Sequence, residues 1–88
     1  MNVTYIAWLN FVRRGRLAAM KLRDRVALNI QDLRRARDLS QEELALRSDV
    51  SRGHMGKVEN AKFAASLDLL ERIAKALDVD PSALFHPR

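Results

Sequence analysis

From Asp24 onward the chain is divided by signals that start helices. Ser40 is followed three residues later by Glu43, the spacing at which a serine hydroxyl and a glutamate carboxylate each take up the other's free backbone N–H. Ser51 offers a second cap, Ser66 with Asp68 a third, and Asp80-Pro81 joins a cap to a first-turn proline. Between these points apolar residues recur every three or four positions, as on one face of a helix. An all-α body of five short helices follows. The first runs from Asp24 to Arg37 with Val26, Ala27, Ile30 and Leu33 inward, and ends near Asp38. The second runs from Gln41 to about Ser48 with Leu44 and Ala45 inward. The third follows Ser51, with Met55, Val58 and Glu59 on one face and Gly53, Gly56, Lys57 and Asn60 on the other. The fourth follows Ser66, with Leu67, Leu70, Ile73, Ala74 and Leu77 inward and Leu69 and Ala76 partly outward; a last turn from Pro81 ends at Leu84 and Phe85.

Size and composition restrict what such a body can do. Eighty-eight residues make one small domain with an arm, too little for a deep two-domain catalytic cleft. With 48% apolar and 31% charged residues, three Gly and two Pro, the chain is of a kind that folds. Without cysteine it has no disulfide, thiolate metal site or thiol nucleophile, and a cytoplasmic location is the default expectation. Sixteen basic against eleven acidic residues give +5, which suits a polyanionic partner. The distribution matters more: Arg13, Arg14, Arg16, Lys21 and Arg23 face no acid within residues 1–23, whereas residues 24–88 are balanced. Within that neutral body Arg47, Arg52, Lys57 and Lys62 outnumber Asp49 and Glu59, a mild basic stripe.

Two parts are therefore expected: an apolar then basic extension over 1–23 and a folded domain over 24–88. The opening MNVTYIAWLNFV is too short to span a membrane, which takes about 20 apolar residues, and it lacks the leading positive charge of a secretory signal. Its period fits a helix or a strand. Packing against the domain or a second copy of the chain is the preferred reading, with docking of Ile6, Trp8, Leu9 and Phe11 on a partner subunit favoured over Arg13, Arg14 and Arg16 reaching DNA phosphates; a membrane-surface segment and an incidental extension preceding a start at Met20 are the others.

Helices two and three carry the function. A three-to-four-residue turn joins them, small Ala45 stands where they cross, and Leu44, Val50, Met55 and Val58 fill the buried positions of a helix-turn-helix. The run LRRARDLSQEELALRSDVSRGHMGKVEN followed by SLDLLERIAKALDVDPSALF resembles the Cro and phage-repressor type of helix-turn-helix domain, the xenobiotic-response-element family, over about residues 24–86. The resemblance implies a five-helix lambda-repressor-like fold and a sequence-specific regulator of transcription whose third helix enters the major groove of double-stranded DNA. Gln41 then matches a phosphate contact at a helix N-terminus. Ser51, Arg52, Gly53, His54 and Lys57 match positions facing base edges or nearby phosphates, and Asn60 and Lys62 match phosphate contacts beyond them. Arg34 and Glu59 match a structural ion pair between helices one and three.

The sequence departs from that pattern where family members usually carry glycine: Asp38, Asp49 and Ala61 stand there instead. Alanine adopts the left-handed conformation at a cost of roughly 1–2 kcal/mol, which moves the expected turn residue to Asn60. Gly53 and Gly56 fall inside the reading helix, leaving Arg52 and Lys57 as the residues suited to guanine. Other chemistries find no constellation. His54 and His86 have no ligand partners at metal spacing. Ser51, His54 and Asp49 are better read as cap, surface and turn than as a catalytic triad. Gly53-His54-Met55-Gly56 lacks the flanking strands of an RNA-binding KH loop. No catalytic residue, cofactor or metal is expected. Arg47, Arg72 and Lys75 read as solvated. Leu69, Ala76, Leu84 and Phe85 are edge-of-core or dimer surface, with a homodimer through helices four and five preferred, possibly joined by the arm. A restriction-modification controller, a Cro-like or repressor-like switch and an antitoxin all fit, with the controller favoured; a protein-interaction module is the alternative from another class. No effector domain follows helix five, so regulation is expected from concentration, dimerisation or a separate partner.

Overall fold

The computed structural model describes residues 4–9, 20–62 and 64–88, so the expectations placed on Phe11, Arg13, Arg14 and Arg16 fall outside it. Residues 4–9 are helical. The body consists of α1 (Leu22–Ala36), α2 (Gln41–Arg47), α3 (Arg52–Glu59), α4 (Leu67–Ala76) and a closing 3-10 turn, Pro81–Phe85. No strand occurs among the described residues. All the expected caps form. Ser40 and Glu43 make the reciprocal box at 3.0 and 3.2 Å. Ser51 accepts from the His54 N–H, Ser66 from the Leu69 N–H and Asp80 from the Ser82 N–H. Only α1 begins without a side-chain cap, on extended Lys21, two residues before the expected start at Asp24; Asp24 lies in its first turn, opposite in sign to the positive helix end.

One core unites the elements. Ile30, Leu44, Met55, Ile73, Leu77 and Leu84 are fully buried, drawing on every helix and the closing turn. The short α2 and α3 pack on each other, α1 on α3 and on the closing turn, and α4 on α2 and that same turn. Ala45, 2% exposed, allows the close approach of α2 and α3. The inward face of α4 is turned from the expectation: Leu69 is buried at 3% and Leu67 is 79% exposed. Leu69 lies four residues before Ile73, on the same stripe as Leu70 and Ala74. Leu67 is the first residue of the helix, and its Cα–Cβ bond leans back past the helix end and away from the core. Leu84 is likewise core, so neither Leu69 nor Leu84 supplies outer surface.

Helices α1 to α4 end alike. Asp38, Asp49, Ala61 and Asp78 have φ of 55°, 58°, 56° and 56°. After each, the next residue's N–H reaches five residues back: Leu39 to Arg34, Val50 to Ala45, Lys62 to Lys57 and Val79 to Ala74, all at 3.0–3.1 Å. These are Schellman turns made without glycine. Ala61 itself takes the left-handed conformation, not Asn60, whose φ is −97°. The six-residue closure puts that φ on the residue after the helix cap, so the pairing of Lys62 with Lys57 fixes it at 61 whatever residue stands there.

Asn29 on α1 ties down the C-terminal end. Its side-chain amide donates to the carbonyls of Leu84 at 2.9 Å and His86 at 2.8 Å. Arg88 donates to the Asn29 side-chain oxygen and to Asp32.

Candidate nucleic-acid interface

Helix α3 has two unlike faces. Met55, Val58 and Glu59 are buried against the domain, while Arg52, Gly53, Lys57 and Asn60 are exposed and His54 and Gly56 are half-buried. Ser51, Gly53, His54 and Lys57 line one shallow depression on the outer side. The tetrapeptide Gly53-His54-Met55-Gly56 is helical throughout, not the loop that a KH domain requires. Lys62, exposed, follows the Schellman turn that closes α3. Seven of the eight expected contact residues thus lie on α3 or its two ends.

The eighth, Gln41, is the first residue of α2 and is brought to α3 by a buried network. The Glu59 carboxylate accepts from the Arg34 Nε at 2.9 Å and from the Gln41 Nε2 at 3.2 Å. Its side chain is 1% exposed and that of Arg34 12%. Arg34 also donates to the Leu39 carbonyl at 2.8 Å, and Gln31 donates to the Glu59 backbone carbonyl. A charge removed from water in this way is stabilised only by such directed partners. The network therefore fixes the angle between α1, the start of α2 and the end of α3. The ion pair was legible in the sequence; the roles of Gln31 and of the Gln41 side chain inside the domain were not, because amides carry no charge pattern.

The glycines of α3 differ in surroundings. A Cβ on Gly53 would meet nothing, and one on Gly56 would stand 3.8 Å from the Gln41 Oε1, an ordinary contact. Neither has a positive φ. The domain itself does not need glycine at either place. At the start of α2 the Ser40 backbone N–H, then its hydroxyl, hold the Glu43 carboxyl below the usual glutamate range. Among the described residues no group of three or more His, Cys, Asp or Glu is placed to hold a metal ion, and no helix is long and apolar enough to cross a membrane.

Two short capped helices at a tight turn, the second with one face turned away from the core, define a helix-turn-helix domain. The chain belongs to the HTH_3 helix-turn-helix family, which it matches over residues 30–84, and is a DNA-binding transcriptional regulator. Among solved structures it is similar to the restriction-modification controller protein C.AhdI from Aeromonas hydrophila, with 36% identity, a TM-score of 0.70 and coverage of 72% of this chain and 96% of that one. It is also similar to the hypothetical transcription factor NHTF from Neisseria, at 33% identity and a TM-score of 0.74 over 76% and 77% of the two chains. The clp gene regulator ClgR from Corynebacterium glutamicum matches at 25% identity and a TM-score of 0.71 over 74% and 69%. No curated protein matches the sequence at significance.

Proposed function

We propose that the chain recognises an operator in double-stranded DNA as a homodimer, with α3 in the major groove. The observation that carries this reading is the division of α3 into a buried face and an outer face bearing Ser51, Arg52, Gly53, His54 and Lys57. Arg52 and Lys57 read base edges, since a bidentate contact to guanine N7 and O6 discriminates by about 1–3 kcal/mol. Gln41, Asn60 and Lys62 meet phosphates on either side and set register without reading sequence. Bare Gly53 lets the duplex come close to the helix backbone.

One such domain covers about half a site, and two copies one helical turn apart, about 34 Å, give operator-grade binding. The dimer face is that of α4 and the closing turn, where Leu67 is exposed and Phe85 half-buried. Residues 24–88, with the first turn of α1 from Leu22, form the DNA-binding domain, and the residues before it an extension. The restriction-modification controller type, acting in the cytoplasm without enzymatic activity, is the subtype favoured by the likeness to C.AhdI. Footprinting on the DNA upstream of its own gene tests the reading: protection of two related half-sites supports it, and equal affinity for that DNA and a scrambled duplex overturns it.

A further inference from the structure

Beside the dimer face lies an apolar groove that the DNA-reading surface does not use. Leu22 and Val26 of α1, Leu67 and Leu70 of α4, Ala65 and Phe85 line it, with Arg23 at its edge. Its volume, about 230 Å³, is below the roughly 300–1,000 Å³ of small-molecule pockets. Two of its walls are large apolar side chains that stand open: Leu22 is 56% and Leu67 79% exposed. A second apolar surface stands open in the same chain. In the helical residues 4–9, Tyr5, Ile6 and Trp8 are 51%, 44% and 58% exposed. Both surfaces thus stand open among the described residues, and both belong to one chain. Apolar patches of this kind on one protein mark an interaction surface.

We infer that the groove receives the apolar helix 4–9 of a second copy, Tyr5 and Trp8, three residues apart and so on one face, entering between Leu22 and Leu67. The exchange is reciprocal under two-fold symmetry, so each dimer buries two arms in two grooves. The groove is continuous with the proposed α4 face through Leu67 and Phe85, and the arm extends that interface rather than competing with it. This inference rests on the dimeric reading above, and its test separates the two.

Trp8 is the only tryptophan, so its fluorescence reports the arm alone. With the full chain, emission is followed across a concentration series while sedimentation records the association state. The expected result is a shift to the blue that rises with the dimer fraction. Leu22→Glu, at an exposed groove position on α1 and outside the α4 face, should abolish the shift and weaken association at least about tenfold, a change of about 1.4 kcal/mol, with circular dichroism unchanged. Removal of residues 1–12 should weaken association to a similar degree. Because the chain has no cysteine, a mixture of Trp8→Cys chains with differently tagged Leu67→Cys chains, treated with an added mild oxidant that takes up the two electrons, should give a disulfide between the two kinds of chain. A dimer that forms with Trp8 emission unchanged overturns the arm while leaving the dimer. Blue emission already present in the monomer places the arm on its own chain and overturns the exchange. A shift that requires anionic vesicles makes the arm a membrane segment and overturns it too. A monomer at every concentration overturns both readings.

Discussion

The Arg34 Nε donates to the Glu59 Oε2 at 2.9 Å across the interval between α1 and α3, and Gln41 from α2 closes on the other oxygen of the same carboxylate. Breaking a buried pair on one side leaves a charge without compensation, at a cost of about 3–5 kcal/mol. Arg34→Met alone should therefore lower stability far more than Arg34→Met combined with Glu59→Leu. Urea unfolding of the two variants checks this; equal losses would show that the pair acts only as packing.

Ala61 holds a φ of 56° that an L side chain adopts at a cost of roughly 1–2 kcal/mol. Ala61→Gly should raise stability by about 1 kcal/mol, and in a domain of this size that moves Tm up by about 4–8 °C. A thermal melt decides it, and a lower Tm would place the strain elsewhere.

Asn29 satisfies two carbonyls at the chain end, those of Leu84 and His86. Asn29→Ala leaves the buried one without a partner, for a loss of about 1–3 kcal/mol. Hydrogen exchange should show the release concentrated in Pro81–Phe85 and not in α2 or α3.

On DNA, Arg52→Ala and Lys57→Ala should erase the preference for the operator over scrambled duplex, whereas Gln41→Ala should weaken both alike. Lys62→Ala should reduce the slope of log affinity against log salt by about 0.9 if it meets one phosphate. Gly53→Ala separates stability from recognition. The added Cβ meets nothing in the domain and should stabilise α3 by up to about 1 kcal/mol while lowering operator affinity. Unchanged affinity would mean that the duplex does not approach the helix there.

Acid should weaken two of the caps. Backbone N–H groups, Ser40's on Glu43 and Ser82's on Asp80, hold both carboxyls below their usual range. Their folded values lie under their unfolded ones, so the stabilisation is present above the unfolded values and disappears as pH falls through the folded ones, in the acid range below the usual carboxylate values. The stability difference between the wild type and Glu43→Gln with Asp80→Asn should be present at pH 7 and vanish in that acid range. A difference constant down to pH 2.5 would sink the assignment.

How legible this was in the sequence follows from the range of each interaction. Caps such as Ser40 with Glu43 span three residues, and the helix-turn-helix spacing spans about twenty, so both can be read along the chain. The turn at Ala61 was placed one residue early because local propensity favours Asn60; the hydrogen bond of Lys62 to Lys57 overrides it. Leu67 and Leu69 were exchanged because a first-turn residue follows the helix wheel poorly. Asn29 gave no signal at all, since its partners lie 55 and 57 residues away and are backbone atoms.

The placement of glycine has a consequence for how the protein fails. The turns do without it, while α3, eight residues long, contains two. That helix would not persist in isolation, and its order is lent by the three side chains it buries. Damage to those supports, even at Arg34 on α1, should loosen the proposed DNA-facing surface before the rest of the domain gives way. Such a variant would still be a folded protein by its spectrum and have lost its ability to tell one DNA sequence from another, so loss of discrimination is the earlier sign of instability.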